Sequence, residues 1–484
     1  MRAEVSRVLF PALLLGVAAA LAAAAGTGVR ASYGAQVTGD EPHYLLTALT
    51  LAEDGDLDVS DEIEAGRYRD FHEADLDPQA RVLPGGRMVA PHDPLLPLLL
   101  APATALGGWV AAKLVLAAAN GVLAALLLWI AVQRWPIAPW AGAGAVGVFA
   151  CSAPLAVYGQ QLYPELPAAL AATVAIAALT GPTTRRQTLI VCAAVVALVW
   201  LSVKYAPVGA VLAGAGLVRA HRGLGRQAAL TAALGLVLAG LVFVAAHARW
   251  YGGWTPYAAG DHFVTGEISV VGTDPDFGGR SSRLLGLLVD ARFGLAAWQP
   301  AWLLLLPALG AALRAQPTHW RGAGSAGPQE MSVFVAPLVA GWLAATFVAL
   351  TMHGWWWPGR QVVVVLPAAV LLIVRWCTAD TVRLRWLWAC GAIGLATHAW
   401  TVIEGLSGRL TWVVDFAETS NPLNKAWRSA LPDLMNPSGR AWLLYAFWAV
   451  IATVLIARGW RSAASPIESV HHARPEPRIA APSS

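Results

Sequence analysis

The sequence predicts an all-α polytopic membrane protein with about 12 transmembrane helices. Of the 484 residues, 57% are hydrophobic and only 13% are charged, and the mean hydropathy is +0.56. Soluble domains carry roughly 25% charged residues, so this composition excludes a water-soluble globule. Apolar runs that approach the roughly 20 residues needed to cross a bilayer recur along most of the chain.

Each predicted span is an apolar run bounded by polar or basic residues. The segment 206–218 is short, and omitting it would invert the orientation of everything that follows it. The predicted spans cover residues 8–26, 108–132, 137–157, 165–180, 187–203, 206–218, 228–248, 298–313, 331–352, 361–376, 386–403 and 441–457.

Basic residues predict which ends of the spans face the cytoplasm. Short cytoplasmic loops are enriched in Lys and Arg, and the connections at Arg185–Arg186, Arg219–Arg226 and Arg375–Arg385 fit that rule. All but five of the 29 acidic residues then fall on the outer face, and both termini are cytoplasmic. The net charge of +4 therefore reflects membrane orientation, and a nucleic-acid partner is not expected.

The predicted domain organisation is one transmembrane domain, residues 1–461, followed by a disordered cytoplasmic tail at 462–484. The first segment also resembles a secretory signal, but it is long for one and we keep it as a helix. All four cysteines lie in or beside spans, so no disulfide framework is expected. The longer extracytoplasmic loops are 27–94, 249–299 and 404–440.

The first outer loop begins with a pair of carboxylates. Asp40 and Glu41 lie between Gly39 and Pro42, which favours a fixed turn. Because acidic side chains are costly beside hydrocarbon, a pair held at the membrane boundary points to a functional site. Within the same loop, Tyr44–Ala52 is predicted as a short interfacial helix.

Four short motifs, in order, resemble the GT-C superfamily of membrane glycosyltransferases. They are the Asp40–Glu41 pair after the first span, the Pro91–Leu95 stretch before the next apolar run, the Tyr163–Glu165 turn, and Gly359–Arg360 before a late span. The most similar group is the protein O-mannosyltransferase and aminoarabinose transferase type, which is glycosyltransferase family 39-like. The resemblance covers most of the chain in its order of apolar and polar segments, but only a few residues belong to the matching motifs.

The resemblance implies an enzyme of the cytoplasmic membrane that works on its outer face. Such an enzyme transfers a sugar from a polyprenyl-phosphate donor to a hydroxyl of a cell-envelope glycan, lipid or protein. An attacking hydroxyl needs a base, whereas a phosphate leaving group is served better by a cation than by an acid. Neither the sugar, the carrier length nor the acceptor follows from the sequence.

The predicted site residues follow from that chemistry. Asp40 is the general base of an inverting transfer, and Glu41 orients it or binds the acceptor. Lys204 and Arg360 are predicted to bind the phosphate, with attachment to lipid headgroups as the alternative role. Asp93 and Glu165 each fit a structural role as well. The further predicted substrate-binding residues are His92, Asp93, Tyr163, Glu165 and Trp357.

No cofactor is certain from the sequence. A divalent cation would find suitable ligand types in the outer loops, but their spacing matches no known ligand set. These candidate ligands are His43, His92, His262, His353, Asp40 and Asp93.

Two other functional classes remain open from the sequence. A 12-span secondary transporter would place ionisable groups near the bilayer midplane, whereas here Lys113 is the clearest charge inside a span and lies near its beginning. A non-catalytic protein that binds a lipid-linked glycan would also need a ligand-binding cavity, but it would not need Asp40.

Overall fold

The structure is a computed structural model, and it describes residues 2–260, 275–315 and 331–462. The predicted tail after Ser462 and the candidate ligand His262 lie outside the described residues. Within these ranges the regular elements are helices, and β-structure is limited to isolated bridges such as that between Ala35 and His72. The predicted all-α class is therefore confirmed.

The helices follow one another along the chain with mostly short connections. The α-helices are α1 (Arg2–Ala24), α2 (Glu41–Glu53), α3 (Ser60–Glu64), α4 (Leu95–Arg134), α5 (Pro139–Ala150), α6 (Leu155–Tyr158), α7 (Glu165–Leu179), α8 (Arg185–Leu201), α9 (Ala206–Leu224), α10 (Arg226–Tyr251), α11 (Phe277–Arg280), α12 (Arg283–Val289), α13 (Leu295–Trp298), α14 (Leu305–Arg314), α15 (Ser332–Leu343), α16 (Leu366–Thr378), α17 (Thr381–Leu406), α18 (Pro422–Arg428) and α19 (Gly439–Ser462). The 3-10 helices are Arg67–Asp70, Val203–Tyr205, Pro256–Ala259, Pro300–Leu304, Arg360–Val365 and Phe416–Glu418, and Ala344–Val348 is π-helical.

Among the described residues, six helical segments are long and apolar enough to cross a membrane, judged by length and composition. A helix covers part or all of every predicted span, but the count of 12 spans is not confirmed, because several of these helices are short. The six long segments are Arg7–Ala24, Leu95–Arg134, Arg226–Ala259, Arg360–Thr378, Thr381–Leu406 and Gly439–Ser462.

The predicted span 137–157 shows why some observed helices are shorter than the predicted spans. Helix α5 has 12 residues and ends at Ala150, and helix resumes only at Leu155, after Pro154. At 1.5 Å per residue, α5 is about 18 Å long, which is shorter than the roughly 30 Å hydrocarbon core of a bilayer. At the span predicted over 206–218, the observed helix is instead longer than predicted, because α9 continues to Leu224.

Close contacts between small residues join the first helices. An added Cβ on Gly121 of α4 would lie 2.5 Å from the carbonyl oxygen of Gly16 in α1, so the two backbones touch. Next to this contact, the Asn120 amide donates to the carbonyls of Ala19 and Ala150, at 3.1 and 3.0 Å. Helices α1, α4 and α5 are thereby held together near the start of the first loop.

The first loop packs onto these helices. Its helix α2 confirms the short helix predicted over Tyr44–Ala52, and Leu45, Leu46 and Ala48 are fully buried against the rest of the chain. Residues 72–89 of the same loop contain no helix. The loop thus forms a fixed layer over the ends of the long helices.

Helix α10 is the most exposed of the long helices. Leucine and valine side chains along it, including Leu230, Leu234, Val237 and Leu241, are more than half exposed. A soluble monomer rarely exposes a continuous apolar surface of this kind.

The contact between α14 and α19 gives a test of this packing. A Cβ on Gly459 would lie 1.9 Å from the carbonyl oxygen of Pro307, so Gly459→Ala should force α19 away from α14. We expect the free energy of unfolding to fall by about 1–3 kcal/mol, as is usual for overpacking. This fall is measured as a lower Tm of the purified protein. Gly235→Ala in α10 is the control, because nothing lies within 4 Å of its added Cβ. Equal melting temperatures for both variants would contradict the contact.

Candidate functional site

Four charged side chains from distant parts of the chain meet in one place, which we call the charged cluster: Asp40, Glu165, Lys204 and Arg360. The Arg360 Nη2 atom lies 2.5 Å from Asp40 Oδ2, and its Nε atom lies 2.9 Å from Glu165 Oε1. The same Glu165 oxygen accepts from Lys204 Nζ at 2.7 Å. All four residues were predicted from the sequence, but their pairing was not.

Asp40 is presented by the turn that begins α2. Its carbonyl accepts from the backbone N–H of Tyr44, and Asp40 itself occupies the N-cap position. The preceding Gly39 has a φ of +64°, which side-chain-bearing residues rarely adopt. A Cβ at Gly39 would also lie 3.0 Å from the Tyr163 hydroxyl, so glycine fits here for two reasons.

The other three charges also lie at helix ends. Glu165 is the first residue of α7, where the helix dipole favours a carboxylate. Lys204 is the middle residue of the 3-10 turn Val203–Tyr205, between α8 and α9. Arg360 begins the 3-10 helix that leads into α16. The cluster therefore forms only when these four regions pack together.

The cluster has a buried side and an open side. The Glu165 side chain is 0% exposed and that of Arg360 is 9% exposed, whereas Asp40 and Lys204 retain 27% and 28%. The two negative and two positive charges balance. An incoming anion would therefore have to compete with a carboxylate, and Asp40 is the more accessible of the two.

Aromatic rings hold the arginine in position. The Arg360 guanidinium lies 4.1 Å from the centre of the Tyr163 ring and 5.1 Å from that of Trp356. The Tyr163 hydroxyl donates to the Thr38 carbonyl at 3.3 Å, which ties the ring to the loop before Asp40. The sequence marked the whole run Trp355–Trp357 as suggestive, but it placed only Trp357 and Tyr163 among the predicted substrate-binding residues, and the ring beside Arg360 is that of Trp356.

Glu41 lies inside the protein. Its two oxygens accept from the backbone N–H groups of Leu162 and Thr38, at 2.8 and 3.2 Å, and the residue is fully buried. Burial raises the pKa of Glu41, and the nearby Lys113 ammonium partly offsets that rise. Glu41 therefore connects α2 to the turn that carries Tyr163, and these contacts fit the orienting role.

Asp93 supports the lysine turn from behind. One of its oxygens accepts from the Val203 N–H at 3.0 Å, and the other lies 3.1 Å from His247 Nε2. The Nδ1 atom of His247 lies 2.8 Å from the Phe243 carbonyl, so both ring nitrogens are used. Burial raises the pKa of Asp93. His247 was not among the predicted site residues, and its only signal in the sequence is a lone imidazole on an apolar helix.

Two histidines lie beside the cluster. The His92 ring stacks on Tyr44 with centroids 4.5 Å apart, and its centroid is 6.1 Å from that of His43. Burial lowers the pKa of His92 to about 4 and that of His43 to about 3. Both are neutral at neutral pH. His92 Nε2 and both ring nitrogens of His43 are buried without a hydrogen-bond partner among the described residues.

The ionisation of Asp40 follows from opposing effects. Burial alone would raise the pKa of its carboxyl, but the charge of Arg360, and to a smaller extent that of Lys204, favours the carboxylate. The hydrogen bond from Arg360 acts in the same direction. The net result is a pKa of Asp40 well below its usual range. Asp40 is therefore ionised in this structure, and Arg360 neutralises it.

Trp357 lies behind the cluster. Its side chain is 1% exposed, and its ring packs against Trp298, Trp412 and Phe416 with centroids 5.0, 5.0 and 5.2 Å away. Its carbonyl accepts from the Tyr158 hydroxyl at 2.5 Å. The predicted substrate-binding residue thus contributes to the aromatic core that supports Arg360, while the neighbouring Trp355 is exposed.

Among the described residues, no three of the metal ligands considered from the sequence come close enough together to hold one ion. His353 lies 3.8 Å from Asp290, and the partners of Asp93 are His247 and a backbone N–H. Within the described ranges, the group of three carboxyl, imidazole or thiol ligands close enough for one ion is Asp54, Asp61 and Glu62.

Removing the arginine tests whether the charged cluster supports the fold. Arg360→Gln leaves two carboxylates without their shared cation, and breaking such a pair typically costs about 3–5 kcal/mol. The matched control is Arg69→Gln, which breaks the exposed pair with Asp75 and should cost under about 1 kcal/mol. Denaturant or thermal unfolding of the two purified variants measures the difference. A similar stability for both would mean that the cluster contributes little to folding.

Comparison with known proteins does not add to this site: no family model, no curated protein and no solved structure matches the chain. Its function is therefore argued from the residues that meet at the charged cluster.

Proposed function

We propose that the chain is a membrane glycosyltransferase that moves a sugar from a polyprenyl-phosphate donor to an acceptor hydroxyl. The observation that carries the proposal is the charged cluster, in which a partly exposed carboxylate shares an arginine with a buried one. This arrangement places a base next to two cations. These are the groups that such a transfer requires.

The donor phosphate binds to Lys204 and Arg360 in this mechanism. The Lys204 side chain is partly exposed, and Arg360 offers further N–H donors in a fixed, planar arrangement that suits a phosphate. Glu165 is fully buried and retains Arg360 through its Nε atom. The phosphate therefore replaces Asp40 as the partner of Nη2, because Asp40 is the accessible carboxylate.

Displacement of Asp40 activates it. Once Arg360 contacts the phosphate, the charge that depressed the pKa of Asp40 is shared with another anion, and the carboxylate becomes more basic. Asp40 then takes the proton of the acceptor hydroxyl as that oxygen bonds to the anomeric carbon. The bond from this carbon to the phosphate oxygen breaks, and polyprenyl phosphate leaves with the electron pair. The configuration at the anomeric carbon is inverted.

We also propose that the protein lies in the cytoplasmic membrane. The bare apolar surface of α10 and the six long apolar helices support a multi-pass protein of the cytoplasmic membrane. We propose that the shorter apolar helices complete a set of about 12 spans. The charged cluster would then open to the extracytoplasmic face, with both termini in the cytoplasm.

Replacing the base tests the proposal directly. Asp40→Asn keeps the shape of the side chain but removes its basicity, so turnover should fall by roughly 10²-fold or more. The donor should bind at least as well, because the amide competes less for Arg360. The assay is sugar transfer and donor binding by the purified protein, with Asp75→Asn in the same loop as the control. Near-normal turnover in Asp40→Asn would favour a transporter or a non-catalytic glycan binder.

The pH dependence gives a second test. A carboxyl whose pKa is lowered stays in its basic form until the pH falls through that low value. In the resting protein, Asp40 should therefore add no acid limb to kcat/KM for the donor between about pH 5 and 7. His92 and His43 also remain neutral over this range. Any limb found there should disappear in Glu41→Gln or in Asp93→Asn, since burial raises the pKa of both carboxyls. A limb that disappears only in Asp40→Asn would contradict the lowered pKa of Asp40.

A further inference from the structure

Three carboxylates outside the charged cluster converge where α2 ends and α3 begins. One carboxylate oxygen from each of Asp54, Asp61 and Glu62 lies within 4.8 Å of the other two. Asp54 follows the last residue of α2, and the other two lie in the first turn of α3. The contact thus joins two helices that the chain separates by a short turn.

Glu62 is the informative member of this group. The residue is 3% exposed, and its Oε2 atom is buried with no hydrogen-bond partner among the described residues. A buried carboxylate oxygen without a donor or a counterion is costly. Asp54 and Asp61 are exposed, so the group has one deep ligand and two that face solvent.

The neighbouring charges do not satisfy this group. Asp56 and Asp58, in the same acidic run, accept hydrogen bonds from Thr50 and Ser60, respectively. The Arg67 guanidinium is held by both Glu53 oxygens, at 3.0 and 2.9 Å. Within the described part of the chain, no ion pair closer than 4.0 Å involves a carboxylate of the group.

We propose that Asp54, Asp61 and Glu62 bind a divalent cation, and that Ca²⁺ is the ion that fits best. Mg²⁺ usually keeps several of its waters and binds through one or two carboxylates, whereas Ca²⁺ readily takes more carboxylate oxygens. A group of three carboxylates therefore suits Ca²⁺ better. Water completes the coordination on the exposed side, since Ca²⁺ accepts six to eight oxygens in a flexible geometry.

The ion would fix the far end of the helix that begins beside Asp40. Helix α2 starts next to this carboxylate and ends next to Asp54, so a cation shared with α3 holds α2 from the opposite end. This role concerns the first loop itself and does not depend on the proposed sugar transfer.

Calcium titration of the full-length protein tests the site. Protein purified in detergent and stripped with a chelator is titrated with CaCl₂ by calorimetry, and its Tm is measured with and without the ion. We expect one Ca²⁺ per chain, with a Kd on the order of 10⁻⁴–10⁻³ M, as in extracellular calcium modules. Saturating Ca²⁺ should raise the Tm, because it binds only the folded state. Mg²⁺ should bind more weakly.

Substitutions identify the ligands. Glu62→Gln and Asp61→Asn should each raise the Kd at least tenfold and remove the Tm increase. Glu64→Gln is the matched control, since Glu64 is an exposed acid of the same helix outside the group. If Glu62→Gln does not fold, Asp61→Asn and Asp54→Asn still report on the site, because both side chains are exposed. The proposal is overturned if Ca²⁺ does not bind, or if Glu64→Gln weakens binding as much as Asp61→Asn does.

Discussion

The interaction on which the site depends is the bridge that Arg360 forms between Asp40 and Glu165. Arg360 enters from the segment before α16, Asp40 from the first loop and Glu165 from the start of α7, and Lys204 reaches the same glutamate from the turn between α8 and α9. Because breaking a buried charge pair is costly, these regions are held in a common geometry. The Tyr163 and Trp356 rings restrict the guanidinium further.

The same bridge sets the reactivity of the resting protein. A carboxylate that Arg360 neutralises is a weak base, so Asp40 is stable but poorly reactive while the pair remains closed. In the proposed transfer, an anion that binds the arginine releases Asp40 and thereby makes it a stronger base. Under that proposal, the bridge links binding of the donor to activation of the acceptor.

Local patterns in the sequence predicted the helical class and the individual charged residues. Hydrophobic runs predict helices because burial of apolar side chains is a property of each segment. The positions of Asp40, Lys204 and Arg360 beside predicted spans marked them as candidate site residues. The break around Pro154 and the length of α9 depend on how segments pack. The predicted span boundaries therefore differed from the observed helix ends. The Arg360–Asp40 contact joins residues 320 positions apart, and nothing local specifies it. His247 was missed for the same reason, since its partner Asp93 lies in another loop.

The balance of charge in the cluster limits which ligand its cations can hold. The cluster has two cations and two carboxylates, so its cations suit a single phosphate rather than several anions. His43 and His92 are neutral and have ring nitrogens without a hydrogen-bond partner among the described residues, and Glu165 Oε2 also lacks one. Leaving such atoms unpaired costs free energy, but they are buried, so a ligand reaches them only if neighbouring side chains move. The phosphate is therefore the part of the proposed donor that this geometry supports.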